Sequence, residues 1–328
     1  MANGDKMSRT FINQLSDGTK LDEVFLASEK QLRPNRQGQL YLQLRIADKT
    51  GSVTAMKWNA EQSDYDAINN GDYVRVQGNS QVYNGAVQVI ARSVATVERE
   101  TINEADFVTM DIKAIEELTI RLTGLLRSFS DPQLANLAEA YLIDEEFMRK
   151  FKSAPAGIKH HHAYRGGLLR HVVDLMETAR FVGDKYPELN GDLLVFGAFI
   201  HDSGKVDELY YERELGYSDS GQLIGHMVMG VEILTIKIKE AAQLASESAV
   251  SPELQTKLKH MIMSHHGEAE FGSPVLPMTL EAITLHLLDC LDARLAAVNQ
   301  MIDDDVNQDS KWTVYNPAMQ RKIYKSKD

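Results

Sequence analysis

The apolar residues of this 328-residue chain change period once, near residue 100, and that change constrains the fold more than any other feature. Before it, short stretches alternate apolar and polar residues: VFLASEKQL, LYLQLRIAD, SVTAMKWNA, DYVRVQGNSQVY and AVQVIARSVATV. Successive side chains of a strand point to opposite faces, so these stretches predict five half-buried strands between about Leu21 and Val97. Asn35–Gly38, Lys49–Gly51, Asn70–Gly71 and Asn84–Gly85 supply residues that tolerate positive φ at tight connections. Five strands in about 80 residues fit a small closed barrel better than a sandwich.

After the polar stretch Glu98–Phe107 the spacing becomes helical. Ile112, Ile115, Leu118, Thr119, Leu122 and Leu126 recur at three- and four-residue steps. Asp131-Pro132 opens a second helix with proline in its first turn. Further helices are predicted at about Gly166–Tyr186, Asp192–His201, Gly225–Ala245, Pro252–Ser264 and Thr279–Met301, so the second part is nearly all α. The expected organisation is a barrel over residues 18–98, a linker and helical connector over 99–154, a helical domain over 155–302 and a basic tail over 303–328. In that tail, WTVYNPAMQRKIYKSKD carries Trp312, Tyr315 and Tyr324 and reads as a docking segment or frayed end before a nucleic-acid contact.

Composition excludes several classes. At 43% hydrophobic and 25% charged the chain is neither wholly disordered nor collagen-like, and Cys290, its single cysteine, cannot form an internal disulfide. A reducing compartment, the cytoplasm, is expected. The N-terminal segment lacks an apolar signal core, and no run of about 18 uncharged apolar residues predicts a membrane span. Residues 1–100 hold 12 basic and 12 acidic side chains, so the whole net charge of −12 falls in the helical part. Such acidity describes either a solvated surface or clustered carboxylates that need cations.

All ten histidines lie after residue 159, most of them in local motifs: His160-His161-His162, His171, His201-Asp202, His226, His265-His266 and His286. In GAFIHDSGK an apolar helix runs into an imidazole and a carboxylate. An ionised aspartate buried there without a partner is costly, so the pair wants a cation, and its donors suit zinc, manganese or iron. A cap at Asp202 would explain that residue alone. His171 lies at the edge of an apolar stripe, His226 opens a helix, His265-His266 ends one, and Asp289 lies within LHLLDCL. One shared metal centre satisfies these polar groups together.

The order H…HD…H…HH…D resembles the HD-domain superfamily of metal-dependent phosphohydrolases, over roughly residues 155–300. The resemblance implies that His171, His201, Asp202 and Asp289 hold one metal. The additional His226 and His265 match the subset with a second metal bridged by Asp202, with His266 as the alternative to His265. Asp289 and Asp292 compete for one ligand position. D-C-L-D-A-R aligns Asp289 with the family's ligand, leaving Asp292 and His286 behind it. Two divalent cations per chain follow, Mn²⁺ favoured and Fe²⁺, Co²⁺ or Zn²⁺ as alternatives. Two metals suit phosphodiester hydrolysis, one generating hydroxide and the other stabilising charge on the oxygens. Asp202 and Lys205 are the expected catalytic residues, Lys205 as a phosphate contact. His161, His162 and Arg165, before the flexible Gly166-Gly167, are further candidates for substrate contact, and so is His266.

The strands resemble an OB-fold of the nucleic-acid-binding type, most characteristically in YLQLRIADKTGSVTAMKW. Such surfaces stack bases on aromatics while basic residues follow the phosphates. Tyr41, Trp58 and Tyr83 are candidate platforms, and Arg33, Arg36, Arg45, Lys57 and Arg75 candidate phosphate contacts. A packed role in the barrel core is the competing assignment for Trp58. An all-β OB-fold barrel followed by an all-α HD domain resembles the YhaM family of 3′-to-5′ exoribonucleases. That implies single-stranded RNA as substrate, single-stranded DNA as a second one and nucleoside monophosphates as products. The electrically neutral barrel predicts weak phosphate affinity, so a homo-oligomer or the basic tail is expected to help hold the substrate. The competing function is a phosphohydrolase of nucleotides or cyclic dinucleotides with a regulatory barrel. A non-catalytic nucleic-acid binder with a structural metal is disfavoured by the ligand set and Lys205.

Overall fold

In the computed structural model the described residues are all except 1–8, 84, 104–105, 108–109, 111, 158–163, 211–215, 304, 306, 308–309, 318 and 326–328. The chain divides into two compact units, one of residues 1–109 with 298–328 and the other of residues 110–297.

The first unit is a closed five-stranded barrel in the order β1-β2-β3-β5-β4, formed by β1 (Lys20–Pro34), β2 (Leu40–Asp48), β3 (Gly51–Trp58), β4 (Tyr73–Tyr83) and β5 (Ala86–Thr96). Between β3 and β4 runs the short helix α1 (Gln62–Asp66), which the sequence reading did not anticipate. β3 pairs with β5 in parallel and the other ladders are antiparallel. The alternating apolar residues Phe25, Leu42, Leu44, Ile46, Val74, Val76 and Val89 fill the interior. The β2–β3 turn is fixed by Asp48, which accepts from the backbone N–H of Thr50 at 2.7 Å and of Ile12 at 2.8 Å. Asp48, the aspartate of YLQLRIADKTGSVTAMKW, is therefore a turn-builder. At Gly78, beside a bulge in the β4–β5 ladder, a Cβ would stand 2.2 Å from the carbonyl oxygen of Ile90, so only glycine lets the strands close there.

The second unit is helical. It holds α2 (Ile112–Leu126), α3 (Pro132–Leu142), α4 (Glu145–Ser153), α5 (Gly167–Lys185), α6 (Gly191–Ile200), α7 (Lys205–Glu208), α8 (Asp219–Ile224), α9 (His226–Leu244), α10 (Pro252–Ser264) and most of α11 (Leu280–Asp303). A two-stranded pair, β6 (Leu209–Tyr210) with β7 (Gly216–Tyr217), interrupts the helices. Asp131 caps α3, accepting from Gln133 N–H at 2.8 Å, with Pro132 in the first turn. Asn190 caps α6, whose residues from Leu193 to Ile200 are all buried. That total burial explains why α6 lacks an amphipathic period: it is the central helix. α2, α3 and α4 contribute Leu122, Leu126, Leu134, Tyr141 and Phe151 to the same core as α5 and α6. No helix among the described residues is long and apolar enough to cross a membrane.

Candidate metal centre

Helix ends converge on one point of the helical unit. α6 runs out into His201 and Asp202, α9 begins at His226, and α10 ends just before His265 and His266. His171 comes from the second turn of α5 and Asp289 from the middle of α11. The close approach of α9 to the HD turn depends on Gly204, where a Cβ would meet the carbonyl oxygen of His226 at 2.0 Å.

Asp202, 3% exposed, divides the cluster. Its Oδ2 lies 3.4 Å from His201 Nε2 and 3.8 Å from His171 Nε2. His171 Nε2 is in turn 3.3 Å from His201 Nε2 and 3.4 Å from Asp289 Oδ1. The other oxygen, Oδ1, lies 3.6 Å from both His226 Nε2 and His265 Nε2. His226, His265 and His266 also offer three nitrogens within 4.8 Å of one another.

Each imidazole is aimed from behind. His201 Nδ1 donates to Ala198 O at 2.8 Å, His265 Nδ1 to Ile262 O at 2.7 Å and His266 Nδ1 to Phe271 O at 2.8 Å. His171 Nδ1 meets Asp292 Oδ2 at 2.7 Å, and His226 Nδ1 meets Glu208 Oε1 at 3.0 Å. An Nδ1–H committed this way leaves the Nε2 lone pair facing inward. Asp202 Oδ1, His226 Nε2 and His265 Nε2 are buried with no hydrogen-bond partner. Three buried orphan atoms converging on one space are costly unless a cation takes them, so these residues fit divalent metal.

The electrostatics agree. Burial keeps the His265 and His266 imidazoles below their ordinary pKa, the neutral form a ligand requires. Burial opposes the charge on Asp202, but Lys205 and the surrounding histidines hold its carboxyl well below the usual range. Burial disfavours the His171 cation too, yet Asp289, Asp292 and Asp202 outweigh it and push the group up to about 10 without metal. Four polar groups share this small volume, so metal would displace a proton there.

Lys205 Nζ donates to Asp202 Oδ2 and to Ala156 O, both at 2.7 Å. Burial and Asp202 act oppositely on the lysine, and the carboxylate prevails, raising its pKa. Arg165 is exposed in the turn before α5, and His161 and His162 lie outside the described residues. Asp292 stands on the Nδ1 side of His171, Asp289 on the Nε2 side. His286 donates from Nδ1 to His265 O at 2.8 Å, and His260 accepts from Met278 N–H at 2.9 Å. Glu208 was missed by sequence reasoning, because an acidic residue in DELYY carries no motif; only the fold brings it under His226.

On the barrel, Arg33, Tyr41 and Trp58 occupy one row across β1, β2 and β3. Trp58 is 45% exposed, its ring 5.1 Å from that of Tyr41, so it is not part of the core. Arg45 belongs to the same face by the period of two, and Tyr83 is exposed at the end of β4. Lys57 does not share it: it pairs in register with the core residue Leu42 and its amine binds Asp64. Arg75 is held by Asp22 through two bonds of 2.6 and 3.0 Å. Arg36 lies exposed between β1 and β2.

Residues 168–294 match the family model of the HD domain, and residues 27–97 that of an OB-fold nucleic acid binding domain. The 3′-5′ exoribonuclease YhaM of Bacillus subtilis (strain 168) is 31% identical over 287 residues, which is 87% of this chain and 88% of the relative. Its namesake in Geobacillus sp. (strain WCH70) is 33% identical, covering 87% and 86%. That of Listeria monocytogenes serovar 1/2a (strain ATCC BAA-679 / EGD-e) is 31% identical, covering 87% and 88%. The order of the two domains and the extent of these matches agree, and the chain belongs to the YhaM family of 3′-5′ exoribonucleases.

Proposed function

We propose that the protein is a metal-dependent exoribonuclease that removes nucleoside monophosphates from the 3′ end of single-stranded RNA, with short single-stranded DNA as a second substrate. The observation that carries this reading is the division of Asp202, one oxygen turned to His171 and His201 and the other to His226 and His265. His171, His201, Asp202 and Asp289 would hold one divalent cation; Asp202, His226 and His265 or His266 would hold a second. Manganese suits this mixture of imidazole and carboxylate. Such cations acidify water and neutralise charge on a phosphodiester.

The chain's own residues then have distinct tasks. The Nδ1–H bonds to Ala198, Ile262, Asp292 and Glu208 fix the donor rings. Lys205 uses two of its three N–H groups on Asp202 and Ala156, leaving one for a phosphate oxygen. Tyr41 and Trp58, with Arg33 and Arg45 on their face, would grip the strand upstream. The proposed compartment is the cytoplasm, where transcripts accumulate. The exposed stripe Ile283, Leu287, Leu291 and Leu295 on α11 favours a homo-oligomer.

RNA labelled at one end and incubated with Mn²⁺ tests the reading. With a 5′ label, progressively shorter fragments should appear; with a 3′ label, the mononucleotide should be the first labelled product. EDTA should stop both. Hydrolysis of nucleotides or cyclic dinucleotides alone would favour the regulatory-barrel alternative.

A further inference from the structure

The C-terminal segment is built around a buried carboxylate. The Asp305 side chain is 1% exposed, accepting from Val314 N–H at 3.1 Å and from Lys325 Nζ at 2.5 Å. Between these anchors the chain pairs with itself. Thr313 N–H donates to Ile323 O at 2.9 Å, Lys325 N–H to Lys311 O at 2.7 Å and Asn316 N–H to Arg321 O at 2.9 Å. Trp312 and Tyr324 are therefore directly opposite, in the kind of antiparallel pair that brings side chains closest. Their rings meet at 5.0 Å and 65°.

One face of this hairpin is packed, with Thr313 1% exposed, whereas Trp312 and Tyr324 are 50% and 47% exposed. Val314 lies 3.9 Å from where a Cβ of Gly85 would stand, so the hairpin abuts the β4–β5 turn that follows Tyr83. Lys311, Arg321 and Lys322 are exposed on it. Rigid, exposed aromatic rings with nearby cations suit a polyanion whose units have π-faces, and an acidic peptide would leave the rings unused. The first hundred residues contribute no net positive charge, so these cations add what the barrel lacks.

We propose that this hairpin is a second contact for single-stranded RNA, in which Trp312 and Tyr324 stack nucleobases and Lys311, Arg321 and Lys322 neutralise phosphates. The inference rests on the reading of the protein as an RNA-handling enzyme. It extends the candidate surface from the Tyr41–Trp58 face to the β4–β5 end of the barrel.

The test uses the full chain in EDTA with fluorescein-labelled oligo(rU). The chain has two tryptophans, so in a W58F background Trp312 is the only indole. Titration to saturation should quench its emission. W312A/Y324A should weaken binding by about tenfold or more, with partial recovery in W312F/Y324F. K311A/R321A/K322A should flatten the plot of log affinity against log salt by about two units, at about 0.7 per single-strand phosphate contact. Saturable binding by anisotropy with unchanged Trp312 emission and unchanged W312A/Y324A affinity would overturn the inference alone. A shift of W312A/Y324A in sedimentation with RNA affinity intact would also overturn it, assigning the rings to a second copy of the chain. No binding by the wild type would overturn both the inference and the RNA reading on which it rests.

Discussion

Glu208 and His226 are joined twice, one carboxylate oxygen accepting both the ring Nδ1–H and the backbone N–H of the histidine at 3.0 Å each. These two hydrogen bonds to one oxygen fix the first residue of α9 in both backbone and side chain, so its Nε2 has one direction to face. Burial opposes the charge on Glu208, but His226 holds its carboxyl below the usual range, keeping it a strong acceptor.

Glu208→Ala should therefore weaken the second metal site without removing a ligand. Loss of such a supporting carboxylate typically costs about 10–100-fold in affinity. Glu208→Gln keeps an acceptor oxygen and should recover part of it. Metal titration followed by calorimetry checks this; unchanged stoichiometry and affinity in Glu208→Ala would remove Glu208 from the site.

Asp202→Ala should abolish hydrolysis and lower the content of both metals, because each oxygen faces a different donor group. RNA binding should persist, since the aromatic row lies on the barrel. Mass-spectrometric metal analysis beside anisotropy in EDTA measures both, and full turnover in this variant would end the two-metal reading.

The two architectures were legible because each has its own period, and His201-Asp202 stood out because a buried carboxylate beside an imidazole demands a partner. Other parts depended on distance through the fold. Residue type and spacing alone did not rank Asp289 against Asp292, since three residues along α11 is under one turn, and only the family resemblance favoured Asp289; in the structure Asp289 faces His171 Nε2 and Asp292 faces Nδ1. Lys57 misled because a basic residue next to Trp58 suggests a phosphate contact, although neighbours on a strand point to opposite faces. Glu208 had no local signal at all. The tail read as a docking segment or frayed end because two aromatics twelve residues apart show no pairing until Asp305 anchors them.

Trp58→Ala should weaken binding of single-stranded RNA by about 5–100-fold, the range for losing one stacked base. Metal content and the melting temperature should stay near wild type, because the ring is half exposed. Anisotropy and calorimetry separate this from a core defect, which would lower stability first.

The Asp144–Lys237 pair gives a pH dependence away from the metal centre. Burial raises the Asp144 pKa, but Lys237 Nζ at 2.5 Å and the N–H of Phe147 outweigh it and hold the carboxyl below its usual value. A depressed folded pKa stabilises above the unfolded value, about 3.9, and that contribution fades as pH falls through the folded value. Asp144→Asn keeps the cap of α4 and loses the charge. Urea unfolding should show wild type more stable by a constant margin above about pH 5, narrowing below pH 4. A margin independent of pH down to 3 would detach it from this carboxylate.

Lys205 should separate catalysis from metal retention. Its amine is the cation already bound to Asp202 Oδ2, the oxygen turned toward His171 and His201. Removing it as Lys205→Ala leaves that buried carboxylate without its counter-ion, a defect that costs about 3–5 kcal/mol when a buried pair is broken. Metal cations can replace the missing charge, so the loss of melting temperature should be large in EDTA and small in Mn²⁺. Metal affinity should hold or rise, because a competing cation has gone. Turnover should nevertheless fall by about 10²–10³-fold, the loss expected for one preorganised donor at a phosphate oxygen. Thermal melts in both buffers, metal analysis and single-turnover kinetics give three independent readouts. A variant that lost its metals would make Lys205 a support of the site, and one with full turnover would leave the phosphate to other residues.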